Sequence, residues 1–141
     1  MNNWFVWALL SAVFAALTAI LAKIGVGEID ANLATAIRTT VILIVTWALV
    51  FALDGRADFV KINARAWLFL AASGVMTGLS WLCYFRALKL GDVHKVAPVD
   101  KLSVAIAVML AVLFLGEKVT AQEAIGAALI VLGVIVMVVR F

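Results

Sequence analysis

The chain has 141 residues, 67% of them hydrophobic and only 13% charged, with a net charge of +3 and a mean hydropathy of +1.23. A soluble domain carries about 25% charged and about 45–50% apolar residues, so this composition excludes a water-soluble globular fold, and the length suits a single domain, read as 1–141. The basic residues stand singly in or beside short gaps between apolar runs, which excludes a nucleic-acid-binding patch, and the one cysteine, Cys83, excludes an intrachain disulfide.

Five apolar runs follow one another at 4–22, 33–53, 66–90, 93–115 and 122–139. Crossing a hydrocarbon core of about 30 Å takes about 20 helical residues, and lipid leaves an open backbone unsatisfied. The runs therefore predict an all-α, polytopic membrane protein, a bundle of five transmembrane helices in contact with the lipid bilayer, in the inner or plasma membrane of the cell. The first run has no basic segment before it and is too long for the apolar part of a signal peptide, so it is read as a retained helix. Its Ala8, Ser11, Ala15, Thr18 and Ala22 recur at helical spacing and form a small-residue face. Trp4 and Trp7, at its start, suit the interfacial aromatic belt. Gly25, Gly27, Glu28 and Asp30 punctuate the first gap.

The second span carries Arg38, six residues past Asn32 and so about 9 Å into the helix. An ionisable group at membrane depth usually faces a bundle interior or a water-filled cavity, whereas a long cationic side chain can also snorkel to the interface. Both readings stand for Arg38. Asp54, Gly55, Arg56, Asp58 and Lys61 separate this span from the third, which has a polar stripe of Ser73, Thr77, Ser80 or Trp81, and Tyr84 on one face. Trp81 and Tyr84 are candidates to line a cavity, with belt positions as the other reading. The same span holds Gly74-x-x-x-Gly78, a spacing that lets another helix approach closely.

Gly91-Asp92 is a tight turn between a helix stop and a helix start. The charge-free run 102–115 has 14 residues, or about 21 Å of helix, too short to span. The fourth span must therefore draw Asp100 and Lys101 into the membrane region, with Pro98 near its first turn. Neighbouring residues on a helix do not face each other, so each of these two charges is expected to need its own partner or water. A helix that starts late, leaving both at the headgroups, is the alternative. Thr120-x-x-Glu123 fits a capping box opening the fifth span, where Gly126 and Gly133, seven apart, share a face.

Spans two and four begin on the side where span three ends, so Arg38, Tyr84, Asp100 and Lys101 are expected at similar depth. The positive-inside rule barely decides orientation: Arg56, Lys61, Arg65 and Lys118 make four on one side, and Lys23, Arg86, Lys89, Lys95 and Arg140 make five on the other. Such a balance is what insertion in both orientations would show, with a weakly biased single orientation as the other reading. His94, read as a loop residue, has no second metal ligand near it, and no nucleophile motif, phosphate-binding loop or HExxH occurs. No enzymatic activity, metal or cofactor is expected.

Three stretches carry a family likeness: Tyr84-Phe85-Arg86-Ala87-Leu88-Lys89-Leu90-Gly91, then Val96-Ala97-Pro98-Val99, then Leu115-Gly116-Glu117-Lys118-Val119-Thr120. Gly126 through Gly133-Val134 and the start of span two, Asn32 to Arg38, extend it over essentially the whole chain. In these the chain resembles a single EamA-type domain of the drug/metabolite transporter superfamily. Usual members carry two such five-helix domains in tandem, inverted relative to each other, with the substrate path between the halves. With one domain here, the resemblance implies that two copies supply the two halves, antiparallel if the tandem geometry is reproduced. The fifth span is also similar to the dimerising last helix of the small multidrug resistance family. That family depends on a membrane-embedded glutamate in its first span, which has no counterpart here, so its proton-coupled mechanism is not carried over.

The expectation is a transporter of metabolites or other organic solutes, working by alternating access as a homodimer. Arg38, Trp81, Tyr84, Asp100 and Lys101 are the candidates to line the path, and Gly74, Gly78, Gly126 and Gly133 those for helix packing or dimerisation. Arg38 and Lys101 suit an anionic or zwitterionic group, with Asp100 as counter-ion or proton carrier. The alternatives are a non-transporting membrane subunit or scaffold, or half of a heteromeric transporter.

Overall fold

The structure, a computed structural model, describes residues 3–53 and 62–139. Among these it is all helical: α1 Trp4–Val26, α2 Ala31–Ala52, α3 Ala64–Leu90, α4 Val93–Asp100, α5 Leu102–Leu110, a π-helical turn Ala111–Leu115, and α6 Ala121–Val138. With Val93–Leu115 taken as one interrupted span, five helices are long and apolar enough to cross a membrane. Asp54, Gly55, Arg56, Asp58, Lys61 and Arg140 lie outside the described residues.

Local chemistry sets the helix ends. Asp30 caps α2, its Oδ1 accepting from the backbone N–H of Asn32 and Leu33 at 2.8 and 3.2 Å, which starts the helix two residues before the expected 33. Asn63 does the same for α3 by accepting from the Ala66 N–H at 2.7 Å. At α6 the expected capping box is present, Thr120 and Glu123 each bonding the other's backbone. α1 runs on through Lys23 and Gly25, residues expected in the first gap. Its charge is accommodated because Lys23 Nζ donates to the Leu88 carbonyl, 2.6 Å away, in the last turn of α3, where a cation also suits the helix dipole.

The chain forms two compact units, Met1–Leu90 and Gly91–Phe141. In the first, α3 packs against both α1 and α2. Its buried residues are Ala19, Ala22 and Val26 of α1, Ala31, Ala34 and Thr35 of α2, and Phe85 and Leu88 of α3. All lie at the end where α1 gives way to α2 and α3 finishes. Small residues on α1 and α2 let the backbones close there around the larger Phe85 and Leu88, so only the last part of the small face of α1 is used for packing: Ala8, Ser11 and Ala15 are exposed. The threonine hydroxyls of α2 return to their own helix, Thr35 to the Ala31 carbonyl, Thr39 to Thr35, Thr40 to Ala36 and Thr46 to Ile42, which satisfies them without water.

In the second unit, α6 packs against α4 and α5. The fourth span starts at Val93, as expected, but this makes His94 helical rather than a loop residue and puts Pro98 in the second turn, inside the helix. Proline has no N–H to return to the preceding turn, and the helix breaks shortly after it. Lys101 donates its backbone N–H to the Pro98 carbonyl at 3.0 Å, and Val104 donates to Lys101 at 3.0 Å, both spans of three residues. The far end widens into the π-helical turn, closed by Gly116 at φ 69°, a left-handed position that glycine adopts without strain.

Candidate functional site

Arg38 sits in the third turn of α2. Its guanidinium carbon stands 4.4 Å from the centroid of the Trp81 ring and 5.5 Å from that of Phe85. Both distances fall within the reach of a cation–π attraction. The pairing follows from antiparallel packing of α2 and α3, which Lys89 pins at one end by donating from Nζ to the Ile29 carbonyl at 2.8 Å. Nine residues on from Ile29 along α2 is Arg38, and nine residues back from Lys89 is Ser80, beside Trp81. The guanidinium carbon is thus within reach of both rings and nearer that of Trp81. Tyr84 is half-buried nearby and interacts electrostatically with Arg38.

Beside this group lies a cavity of about 320 Å³, lined by Thr18, Leu21, Ala22 and Gly25 of α1, Ile29 of the α1–α2 connection, Ala34, Ile37 and Arg38 of α2, and Phe85 of α3. Among the described residues of this unit no carboxylate or carbonyl accepts from the Arg38 guanidinium, whose recorded contacts are with Trp81, Phe85 and Tyr84. Placing an arginine at the centre of a membrane helix costs about 2.5–3.5 kcal/mol on insertion scales, and a cation–π contact returns about 0.5–2 kcal/mol. The contact with the rings alone does not offset a deep position.

Asp100 and Lys101 were expected to need separate partners. They pair with each other instead, Lys101 Nζ to Asp100 Oδ2 at 3.0 Å, with side chains 55% and 35% exposed. The expectation assumed one continuous helix. Asp100 ends α4 and Lys101 occupies the break before α5, and there the flexible lysine stem folds back onto its neighbour. The structure thus brings Arg38, Trp81 and Tyr84 together in the first unit, and Asp100 and Lys101 together in the second.

The four candidate packing glycines have open faces: within its own unit, no atom lies within 4 Å of where a Cβ would stand on Gly74, Gly78, Gly126 or Gly133. Of the polar stripe on α3, Ser73, Thr77 and Ser80 are exposed, and Thr77 bonds the Ser73 carbonyl. Among the described residues no His, Cys, Asp and Glu group has the arrangement to hold a metal ion.

Reading by residue missed the cavity. Gly25, expected in the first gap, and Ile29, which no expectation singled out, form part of its wall. Phe85 was the findable one, since it stands four residues after Trp81 on the same helix face.

Five helices long and apolar enough to cross a membrane define a multi-pass membrane protein. The chain belongs to the EamA-like transporter family, which matches residues 2–139. It is 53% identical over 138 residues to the "Uncharacterized transporter in cobO 3'region" of Sinorhizobium sp., covering 98% of each chain. It is 23% identical over 141 residues to the "Uncharacterized transporter YxxF" of Bacillus subtilis, where the match takes in 99% of this chain and 44% of that relative. No solved structure matches it.

Proposed function

We propose that this protein carries small organic solutes across the inner or plasma membrane by alternating access, as a homodimer whose two copies supply the two halves of the carrier. The observation that carries this reading is the interruption of the fourth span at Lys101, three residues after a helical Pro98. Carriers place substrate and ion sites at discontinuous helices, and rock one repeat against another around them. A break of this kind leaves α4 and α5 free to tilt separately, with the Asp100–Lys101 pair at the joint as a gate or proton-accepting group. The π-helical turn at 111–115 is a second irregularity in the same span, of a type frequent at functional positions.

The open glycine faces on α3 and α6 support self-association, because close helix approach in lipid depends on such small residues. The chain acts as one domain in this reading, and Arg38, Trp81 and Tyr84 form the solute-facing wall of its first unit. The Sinorhizobium relative is matched over 98% of its length, which fits a carrier assembled from two chains of this size.

The test joins a metabolite thermal-shift screen on purified protein with counterflow in proteoliposomes. A solute that raises the melting temperature should exchange across the bilayer, and native mass spectrometry should show the dimer. Binding without exchange for every such solute overturns the carrier reading.

A further inference from the structure

The guanidinium of Arg38 is held against aromatic rings. Its carbon stands over the Trp81 ring at 4.4 Å, a contact that supplies no hydrogen-bond acceptor to the N–H donors, the group that matches a carboxylate bidentately. Within the first unit those donors have no protein acceptor among the described residues, although the hydroxyls of Thr35 and Thr39 and both lysines of this end have one. The remaining wall, Thr18, Leu21, Ile29, Ile37 and Phe85 with small residues between them, is almost wholly apolar. A largely apolar pocket with one convergent charged group selects a ligand of matching pattern. The volume of about 320 Å³ holds on the order of ten water-sized groups at about 30 Å³ each.

We propose that the cavity between α1, α2 and α3 binds a small amphipathic carboxylate, its anionic end on the N–H edge of Arg38 and its apolar body, the size of one ring or a short alkyl chain, against Leu21, Ile29 and Ile37. This names the substrate class of the carrier and rests on that reading only for the transport step; binding stands or falls separately. A neutral isostere loses the charge-assisted bonds. A cation meets Arg38 as a like charge. An anionic lipid shares the headgroup chemistry, but its chains exceed the cavity.

The experiment uses the full chain purified in neutral detergent, with 3-phenylpropionate, its amide and the corresponding amine as probes, followed by calorimetry and tryptophan fluorescence. The carboxylate is expected to bind at least tenfold more tightly than the amide, and the amine not at all. Arg38→Gln should abolish the preference for carboxylate over amide. Gly25→Leu is the second variant: a Cβ there meets nothing within 4 Å, so the side chain enters the cavity without displacing the helix, and it should weaken carboxylate and amide alike at unchanged melting temperature. In a parallel arm phosphatidylglycerol replaces the carboxylate. Equal affinity for the three probes overturns the inference, as does carboxylate binding that survives Gly25→Leu, or binding of phosphatidylglycerol with none of the carboxylate. Carboxylate binding without counterflow would leave the inference standing and overturn the carrier reading. Counterflow of other solutes with no carboxylate binding would do the reverse.

Discussion

Single residues separate the charges that hold this fold from those available for chemistry. Lys23 and Lys89 donate to the backbone carbonyls of Leu88 and Ile29, and so tie the ends of α1, α2 and α3 together. Asp100 and Lys101 form an exposed pair, and exposed pairs contribute about 0–1 kcal/mol. Asp100→Asn should therefore leave the melting temperature in detergent nearly unchanged while reducing solute flux. A large loss of stability would make the pair structural, and normal flux would remove it from the mechanism. Thr120→Ala removes the N-cap of α6, a change that costs about 1 kcal/mol, and should appear as a lower melting temperature with solute affinity retained. The place of Arg38 in the third turn of α2 was nearly legible by counting residues from Asn32. Its stacking partner was legible only as a neighbour on a polar face, because depth does not specify which side of the helix meets α3.

At the scale of the element, hydropathy and length sufficed to find all five spans, since a membrane core demands both. The ends shifted by up to four residues, as in α1, because apolar runs stop where charges begin whereas helices stop where their backbone groups find other partners. Asp30 and Asn63 were visible capping residues, and reading them as caps would have placed the starts of α2 and α3 correctly. The interruption of span four had its signal in Pro98, once that residue is counted six into the helix rather than near its start. Pro98→Ala supplies an N–H that can bond the His94 carbonyl and removes the ring that crowds it, and so should stiffen α4 up to its joint with α5. The expected result is slower counterflow at unchanged solute affinity, a difference between a step of motion and a step of binding; an unchanged rate would remove the break from the transport cycle. On α6, Gly133→Leu should lower the dimer fraction in native mass spectrometry more than Gly55→Leu, a substitution in the sequence between spans two and three. Equal fractions would remove the face of Gly126 and Gly133 from the interface.

For the whole molecule, orientation is the property on which the dimer reading depends. Two copies reproduce an inverted pair of halves only if the same chain inserts both ways, and insertion follows the balance of Lys and Arg in short loops. That balance is four against five, so a change of two charges on either side should be decisive. Glu117→Lys with Gln122→Lys adds two cations between and at the ends of spans four and five, and should hold that loop and the N-terminus in the cytoplasm. Glu28→Lys with Asn32→Lys adds two between spans one and two, and should hold the N-terminus outside. Reporter fusions at the C-terminus read the outcome, because an odd number of spans puts the two ends on opposite sides. The unaltered chain should give signal from both locations, and each double variant from one. Coexpression then adds a functional measure: each variant alone should lose counterflow, and the two together should recover it, since one copy of each orientation is again present. A single orientation that withstands both pairs of substitutions would overturn dual insertion. Full activity of either variant alone would show that a parallel assembly or a single chain suffices for transport.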